Sequence, residues 1–484
     1  MAERRASFSI GSAVATLAVL VGAGCNMAPT YERPASPVTE AWPASAGETQ
    51  TNGVAASDIG WRDVFGDPRL VALIDLALRN NRDLRIAALN VELARAQYRI
   101  QRSEQFPTLA GVGSVDLSGR SKGIDFGAAS DDEGGAQVNG SYTVGLSVTS
   151  FELDLWGRVR NLKDAALEQY LASKATRRSA HLSLVAEVAS QYLVLQATGE
   201  QLALARRTLR ALRSFYDLTR RQFEEGIHGE LEVRAAEGQV EAARADIARL
   251  TRERALAENA LVLLVGRPLP RDLPAGLPFA DEDVLADIPA GLPSDLLTRR
   301  PDILAAEHQL KAANADIGAA RAAFFPTISL TALGGIASTA LTGLFGGTAA
   351  LWSFTPQITA PIFTGGRLEG NLDAAHVRKH IEIAEYEKAI QVAFREVADA
   401  LAGREPLDRQ VRALEKSVDA QRRRQEISEL RYRTGIENYL SVLLAQRDLY
   451  VVEARLIDVR LARMNNVVSL YKALGGGWRE RSRD

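Results

Sequence analysis

From Gly157 to Gly226 apolar residues recur at steps of three, four and seven, with Arg, Lys, Glu and Gln between them and no proline in the run. Leu162, Ala166, Tyr170, Leu182, Val185, Val188, Tyr192, Leu195, Leu202, Leu209, Leu212, Phe215 and Phe223 mark this stripe. The period is helical, and at about 1.5 Å per residue it predicts one helix about 100 Å long. That length exceeds the needs of a compact domain, and the frequent charges exclude a membrane span. The helix is therefore expected to pack lengthwise on others like it. Upstream, Asp67 and Pro68 open another helical stripe, Leu70, Leu73, Ile74, Ala77 and Leu78, which continues to about Gln105 and ends at Phe106-Pro107. Between Pro107 and Leu155 the period falls to two. Tyr142, Val144, Leu146 and Val148 alternate with Thr143, Gly145, Ser147 and Thr149, which predicts two strands around a polar loop near Lys122 to Asn139. After Gly226-Ile227-His228-Gly229 the chain reverses into a helix from about Glu230 to Val265.

The second half repeats this order. Phe106-Pro107-Thr108-Leu109 is echoed by Phe325-Pro326-Thr327-Ile328, and Asn81-Arg82-Asp83-Leu84 by Arg300-Pro301-Asp302-Ile303. Farther on, Gly157-Arg158 meets Gly366-Arg367, Asp164-Ala165-Ala166 meets Asp373-Ala374-Ala375, and Gly226 meets Gly435. The change of offset falls between the strands, where loops tolerate insertion. The chain reads as a tandem duplication of helix, strand pair, long helix and helix. Its expected segments are a first repeat over 61–267, a linker over 268–293, a second repeat over 294–477 and a tail over 478–484. Gly403 and Pro406 lie inside the second long helix, where a kink or short break is expected. The uncharged stretch Ala332 to Leu351 is long enough for a transmembrane helix, but its glycines and its strand-like duplicate favour strand.

Four strands per chain cannot close a barrel, and lipid does not tolerate an open sheet edge. A membrane role for the strands therefore requires a barrel shared between copies, while a soluble protein with two small hairpins is the alternative. The N-terminus bears on this choice. Arg4 and Arg5 precede an apolar run from about Ile10 to Val21 and then Gly22-Ala23-Gly24-Cys25, the plan of a lipoprotein signal peptide over 1–24 with acylation at Cys25. Gly22 stands where Leu is usual in such a cleavage site. Residues 25–60, rich in Pro, Ala, Ser, Thr and Glu, read as an extended arm.

Composition adds exclusions. At 46% hydrophobic and 24% charged, with a formal charge of −2, the chain is globular and carries no basic excess for nucleic acid. One cysteine rules out an internal disulfide framework. His376 and His380 are one helical turn apart without a third ligand, and read as a solvated face rather than a metal site. No phosphate loop, nucleophile elbow or paired-carboxylate site is visible, so neither enzyme nor cofactor is expected.

The chain resembles the TolC/OprM-like outer membrane factors, particularly the NodT-type lipoprotein branch, over nearly its whole length. The resemblance rests on Cys25 with Pro29-Thr30-Tyr31-Glu32-Arg33-Pro34, Trp61 with Phe65-Gly66-Asp67-Pro68, and Phe151-Glu152-Leu153-Asp154-Leu155-Trp156-Gly157-Arg158. To these are added Arg299-Arg300-Pro301-Asp302-Ile303, Pro361-Ile362-Phe363, Arg431-Tyr432-Arg433-Thr434-Gly435 and Leu470-Tyr471-Lys472-Ala473-Leu474-Gly475-Gly476-Gly477-Trp478, all in the same order. It implies a mainly α fold with β: a duplicated long-helix coiled-coil barrel, plus four strands per chain contributing to a trimeric twelve-stranded outer-membrane β-barrel.

It further implies a homotrimer anchored in outer-membrane lipid through Cys25. Its partners would be a periplasmic adaptor and an inner-membrane pump of the RND type, and its role a passive exit duct for small molecules. The helix reversals, with Phe223 and Gly226 in one and Tyr432 and Gly435 in the other, correspond to the adaptor-docking tip of similar proteins. Leu440 corresponds to a residue that helps close the periplasmic gate. Leu444 stands where such ducts carry an acidic lining residue, so closure is expected to draw on Arg447 and Asp448. Metal-ion efflux, type I protein secretion and a lipid-anchored coiled-coil scaffold without a pore are the alternatives; three methionines offer little to a soft metal.

Overall fold

The computed structural model describes residues 26–39, 41–42, 58–119, 138–227, 229–279, 297–346 and 350–482. The expected leader, Cys25, most of the loop between the first two strands and link residues 280–293 lie outside the described residues. The elements in chain order are helices α1 (Trp61–Val64), α2 (Pro68–Asn80) and α3 (Arg82–Ser103), strands β1 (Leu109–Gly119) and β2 (Val138–Leu153), and helices α4 (Arg158–Glu224), α5 (Glu230–Val265) and α6 (Pro301–Ala322). Strands β3 (Thr327–Ser338) and β4 (Ala350–Thr359) and helices α7 (Arg367–Arg433) and α8 (Tyr439–Ala473) complete the order. The two long helices have 67 residues each. The described residues of Ala332 to Leu351 include strand, a short 3₁₀ turn and strand, and no described helix is long and apolar enough to cross a membrane.

The chain divides into two compact units, each drawing on both sequence halves. One comprises the described residues up to Arg33 together with Leu93–Leu171 and His308–Ala384, and contains the sheet. Its strands lie in the order β1-β2-β3-β4, all antiparallel. Because residues opposite each other in a ladder share a face, the register sorts the side chains. Leu109, Val115 and Leu117 of β1 share a face with Tyr142, Val144, Leu146 and Val148 of β2, Ile328, Leu330 and Ile336 of β3, and Trp352, Phe354 and Ile358 of β4. The opposite face carries Ser114, Asp116, Thr143, Ser147, Ser329, Thr331, Ser353, Thr355 and Gln357, interrupted by Val112, Leu333 and Leu351.

A bulge preserves this division. The register passes from Val148↔Ala332 to Phe151↔Leu330, with Ser150 at φ 51° in between. The extra residue switches the parity of β2, so Phe151 and Leu153 stay on the apolar face. Glu152 turns to the other face and holds Arg158, at 2.9 Å to Nε and 2.5 Å to Nη2. On the polar face Gly145 opposes Gly335, where an added Cβ would lie 2.6 Å and 2.3 Å from the facing carbonyl oxygens. In the same unit, residues 26–33 run along α6, where Asn314 Nδ2 donates to the Pro29 carbonyl at 2.7 Å.

The second unit comprises Pro34–Glu92, Ala172–Glu307 and Glu385–Asp484. Here α2 buries Leu70, Leu73, Ile74 and Ala77 of the stripe its sequence predicts, with Leu78 half-buried. Asp67 caps it from a fully buried position: Oδ1 accepts the N–H groups of Arg69 and Leu70, and Oδ2 accepts the Tyr192 hydroxyl and the Leu277 N–H. The expected continuous helix to Gln105 is instead two helices parted at Asn81, whose backbone is extended. Asn81 leaves the helix because its side chain is used twice: Nδ2 donates to the Leu264 carbonyl at 2.9 Å, and Oδ1 accepts Leu84 N–H. Buried Arg300 does the equivalent in the second half, donating from Nη1 to the Ala473 carbonyl at 3.0 Å while Nη2 pairs with Asp302 and Glu396 at 2.7 Å. Each lock satisfies a carbonyl at the end of α5 or α8 that helix geometry leaves unpaired.

Of the kink or short break expected at Pro406, the break is absent: α7 runs unbroken through it. Proline removes one backbone bond, and α8 supports the flanks: Asn466 Nδ2 donates to the Ala400 carbonyl at 2.8 Å, and Arg463 pairs with Asp408 at 2.8 Å.

Asn81→Ala is expected to cost about 1–2 kcal/mol through loss of a cap and an unmet carbonyl. Arg300→Ala should lower the unfolding temperature further, since it strips two carboxylates and a carbonyl at once. Thermal unfolding of the purified variants checks the order.

Candidate functional site

The two helix reversals share one backbone solution. Gly226 at φ 75° donates its N–H to Phe223 O while Ile227 N–H reaches Gln222 O; Gly435 at φ 73° donates to Tyr432 O while Ile436 N–H reaches Arg431 O. This paired pattern is a Schellman ending, and its left-handed residue favours glycine for want of a Cβ. Asn438 then starts α8 by accepting Ser441 N–H.

The two aromatic residues singled out at the turns part company here. Phe223 is exposed, whereas Tyr432 points inward, its ring 6.3 Å from Phe215 and 5.7 Å from Tyr439 and its hydroxyl donating to Gln222 Oε1 at 3.1 Å. Burial pushes the Tyr439 phenol well above its ordinary value. Tyr439 joins Ala236, Val442 and Leu443 in a core that holds the two turns together. Apolar residues that do face outward near the turns include Phe223, Ile227, Leu231, Leu430, Ile436 and Leu440.

Beyond the turns, polar side chains tie α7 to α8. Asp448 accepts Arg424 Nη1 at 2.9 Å across the helix pair and Arg447 Nη2 at 2.9 Å from its own helix. The two guanidiniums, Arg447 first, hold its carboxyl below the usual carboxylate range. Arg422 pairs with Glu453 at 3.0 Å and Arg460 with Glu415 at 2.8 Å. From the other side Tyr450 donates to Asp246 of α5 at 3.2 Å, and Gln201 of α4 donates to Asp458 at 2.6 Å.

Of the residues assigned to a gate, Leu440 and Arg447 are exposed and Leu444 and Asp448 half-buried. Arg424, the partner of Asp448 on α7, is not among the residues the sequence singled out. A signal was present: Arg424 and Asp448 are equidistant in sequence from Ile436, and antiparallel helices joined by a tight turn pair such positions. Among the described residues no group of three or more His, Cys, Asp or Glu could hold a metal. His376 is half-buried and His380 exposed.

The family model for outer membrane efflux proteins matches residues 73–267 and again 292–476. The toluene efflux pump outer membrane protein TtgC of Pseudomonas putida is 45% identical over 471 residues, covering 97% of this chain and 96% of its own. Outer membrane protein OprJ of Pseudomonas aeruginosa is 43% identical over 482 residues, 99% and 97% of the two chains. Among solved structures, the open state of the MtrE outer membrane channel of Neisseria gonorrhoeae superposes with a TM-score of 0.86 at 43% identity, over 95% of this chain and 100% of that one.

Tyr439→Ala removes a ring from the core between the turns and is expected to cost about 3 kcal/mol. Hydrogen exchange should accelerate roughly a hundredfold around Phe215 and Val442 if that core holds the turns together.

Proposed function

The chain belongs to the outer membrane efflux protein family, and from that membership we propose that three copies form an exit duct for small organic molecules and drugs. The observation that carries this reading is the two-faced open sheet. Leu109, Val115, Leu117, Leu146, Trp352, Phe354 and Ile358 are each more than half exposed, all on one face, while the other face is largely Ser, Thr and Gln. Lipid suits the first face and a water-filled lumen the second. A pore-free scaffold would leave that apolar face without a purpose.

Strand count and direction suit a ring. With four antiparallel strands per chain, β1 and β4 run in opposite directions, so β4 of one copy pairs with β1 of the next in an all-antiparallel barrel. Three copies give twelve strands. The helices leading from these edge strands carry matching apolar positions, Leu93 and Ile100 on α3 and Val377 and Ile381 on α7, exposed in the single chain and suited to meet at the same seam. Cys25, acylated, anchors the chain in the outer membrane. The duct is passive: an inner-membrane pump of the RND type selects and drives cargo, and a periplasmic adaptor meets the turns through Phe223, Ile227 and Ile436. The ties of Asp448 to Arg424 and Arg447 hold the periplasmic end closed, with Leu440 and Leu444 narrowing it.

Outer-membrane fractions should yield a cross-linked trimer, and deletion should raise sensitivity to organic solvents and drugs; recovery solely as a soluble monomer would overturn the duct. In planar bilayers Asp448→Ala should raise the opening equilibrium by up to about fivefold per chain, the scale of a half-exposed ion pair. Because its pKa is lowered from 3.8, the Asp448 tie is fully present above that value and is lost only as pH falls through the depressed one. Conductance should therefore stay low at mildly acidic pH and rise under stronger acid.

A further inference from the structure

Helices α2, α4 and α5 and the link residues Gly276, Leu277 and Pro278 form a crevice of about 330 Å³. Part of its wall is apolar, from Leu195, Leu277 and Pro278, and facing it are Arg69 at the start of α2 and Arg254 on α5. Arg69 is half-buried and Arg254 exposed, and among the described residues neither guanidinium meets a carboxylate at ion-pair distance. Glu253, beside Arg254 in sequence, is taken by Arg249 at 3.0 Å. Glu258 follows Arg254 by four residues, which is the weaker orientation of a helical pair.

The other donors here are already used. Tyr192 donates its hydroxyl to Asp67 at 2.8 Å, and Gln196 Nε2 donates to that hydroxyl at 2.6 Å and to the Leu277 carbonyl at 3.4 Å. Asp67 is fully buried behind Tyr192, its oxygens taken by four donors, and does not line the crevice. Burial and the bond to Asp67 push the Tyr192 phenol up while the Arg69 guanidinium works the other way, so the charge of Arg69 bears on this hydroxyl. Two guanidiniums set against Asp67 leave positive charge in excess, which suits a monoanion better than a dianion. Gly199 of α4 keeps the space open. A glycine inside a helix weakens it, and a Cβ built at Gly199 meets no atom within 4 Å, so packing does not demand the glycine.

We propose that this crevice binds a small organic monocarboxylate, its carboxylate held by Arg69 and Arg254 and its apolar body laid against Leu195, Leu277 and Pro278. Planar guanidiniums match a carboxylate in shape as well as charge. The bound anion joins the start of α2 to α5 beside α4. The site uses none of the residues of the turns or the gate.

The test uses the purified full-length protein with benzoate and benzamide, which share a shape and differ in charge, and with phenyl phosphate. Calorimetry should give about tenfold tighter binding of benzoate than of benzamide, the scale of one charge-assisted hydrogen bond, and added salt should weaken it. Arg69→Gln and Arg254→Gln should each bring benzoate down towards benzamide; if the first disturbs the Asp67 cap and does not fold, the second, at an exposed position, decides. Gly199→Leu should abolish benzoate binding by filling the crevice, and it keeps the helix because leucine favours one over glycine. Equal affinities for benzoate and benzamide in the wild type, benzoate binding unmoved by Arg254→Gln, or binding that survives Gly199→Leu would overturn the site. Tighter binding of phenyl phosphate than of benzoate would overturn the choice of a monoanion. Benzoate should also raise the unfolding temperature of the wild type and leave that of Gly199→Leu unchanged, since a ligand of the folded state stabilises it.

Discussion

The sheet ends on two strands, β1 and β4, each bonded along one edge within the chain. An open ladder edge leaves a row of N–H and C=O groups that lipid cannot satisfy, so a chain of this kind reaches its working form only by joining others. The other features of the sheet serve that requirement. Antiparallel order sets the two edges running oppositely, and the bulge at Ser150 keeps Phe151 and Leu153 on the apolar side while turning Glu152 to Arg158. Opposed Gly145 and Gly335 bring the central strands together where a Cβ would collide with backbone.

The duplicated halves have kept a mechanical task while changing its chemistry. Asn81 and Arg300 stand at equivalent positions, and each donates to the carbonyl that ends the helix of its own half, Leu264 or Ala473. The amide also caps α3, whereas the guanidinium gathers Asp302 and Glu396 around it. A planar guanidinium with five donors can serve several acceptors where an amide serves one or two, so the second half is tied more heavily at this junction. The difference suits an element in which the second helix pair, α7 and α8, carries the ladder of ion pairs that ends at Asp448.

Much of this was legible in the order of residues. Periods of three and four against two separated helix from strand, because a helix and a strand expose their faces at different intervals. The long helices, the turn glycines and the capping Asp67 follow from local rules acting over a few residues. The tandem repeat announced that the same unit is built twice, and a membrane role for its strands, once the N-terminal signal pointed to one, required partner copies.

Other features depend on groups distant in sequence. The parting of α2 from α3 at Asn81 is set by a carbonyl in α5, and the continuity of α7 through Pro406 by side chains of α8. Tyr432 turns inward because Phe215 and Tyr439 wait there, and Asp448 finds Arg424 because a tight turn folds the two helices into register. The sequence by itself determined which elements form and which faces are apolar, since backbone propensity and burial are local and periodic. Only the tertiary structure decided which polar groups meet, because hydrogen bonds and ion pairs act over a few ångströms and their partners are chosen by packing.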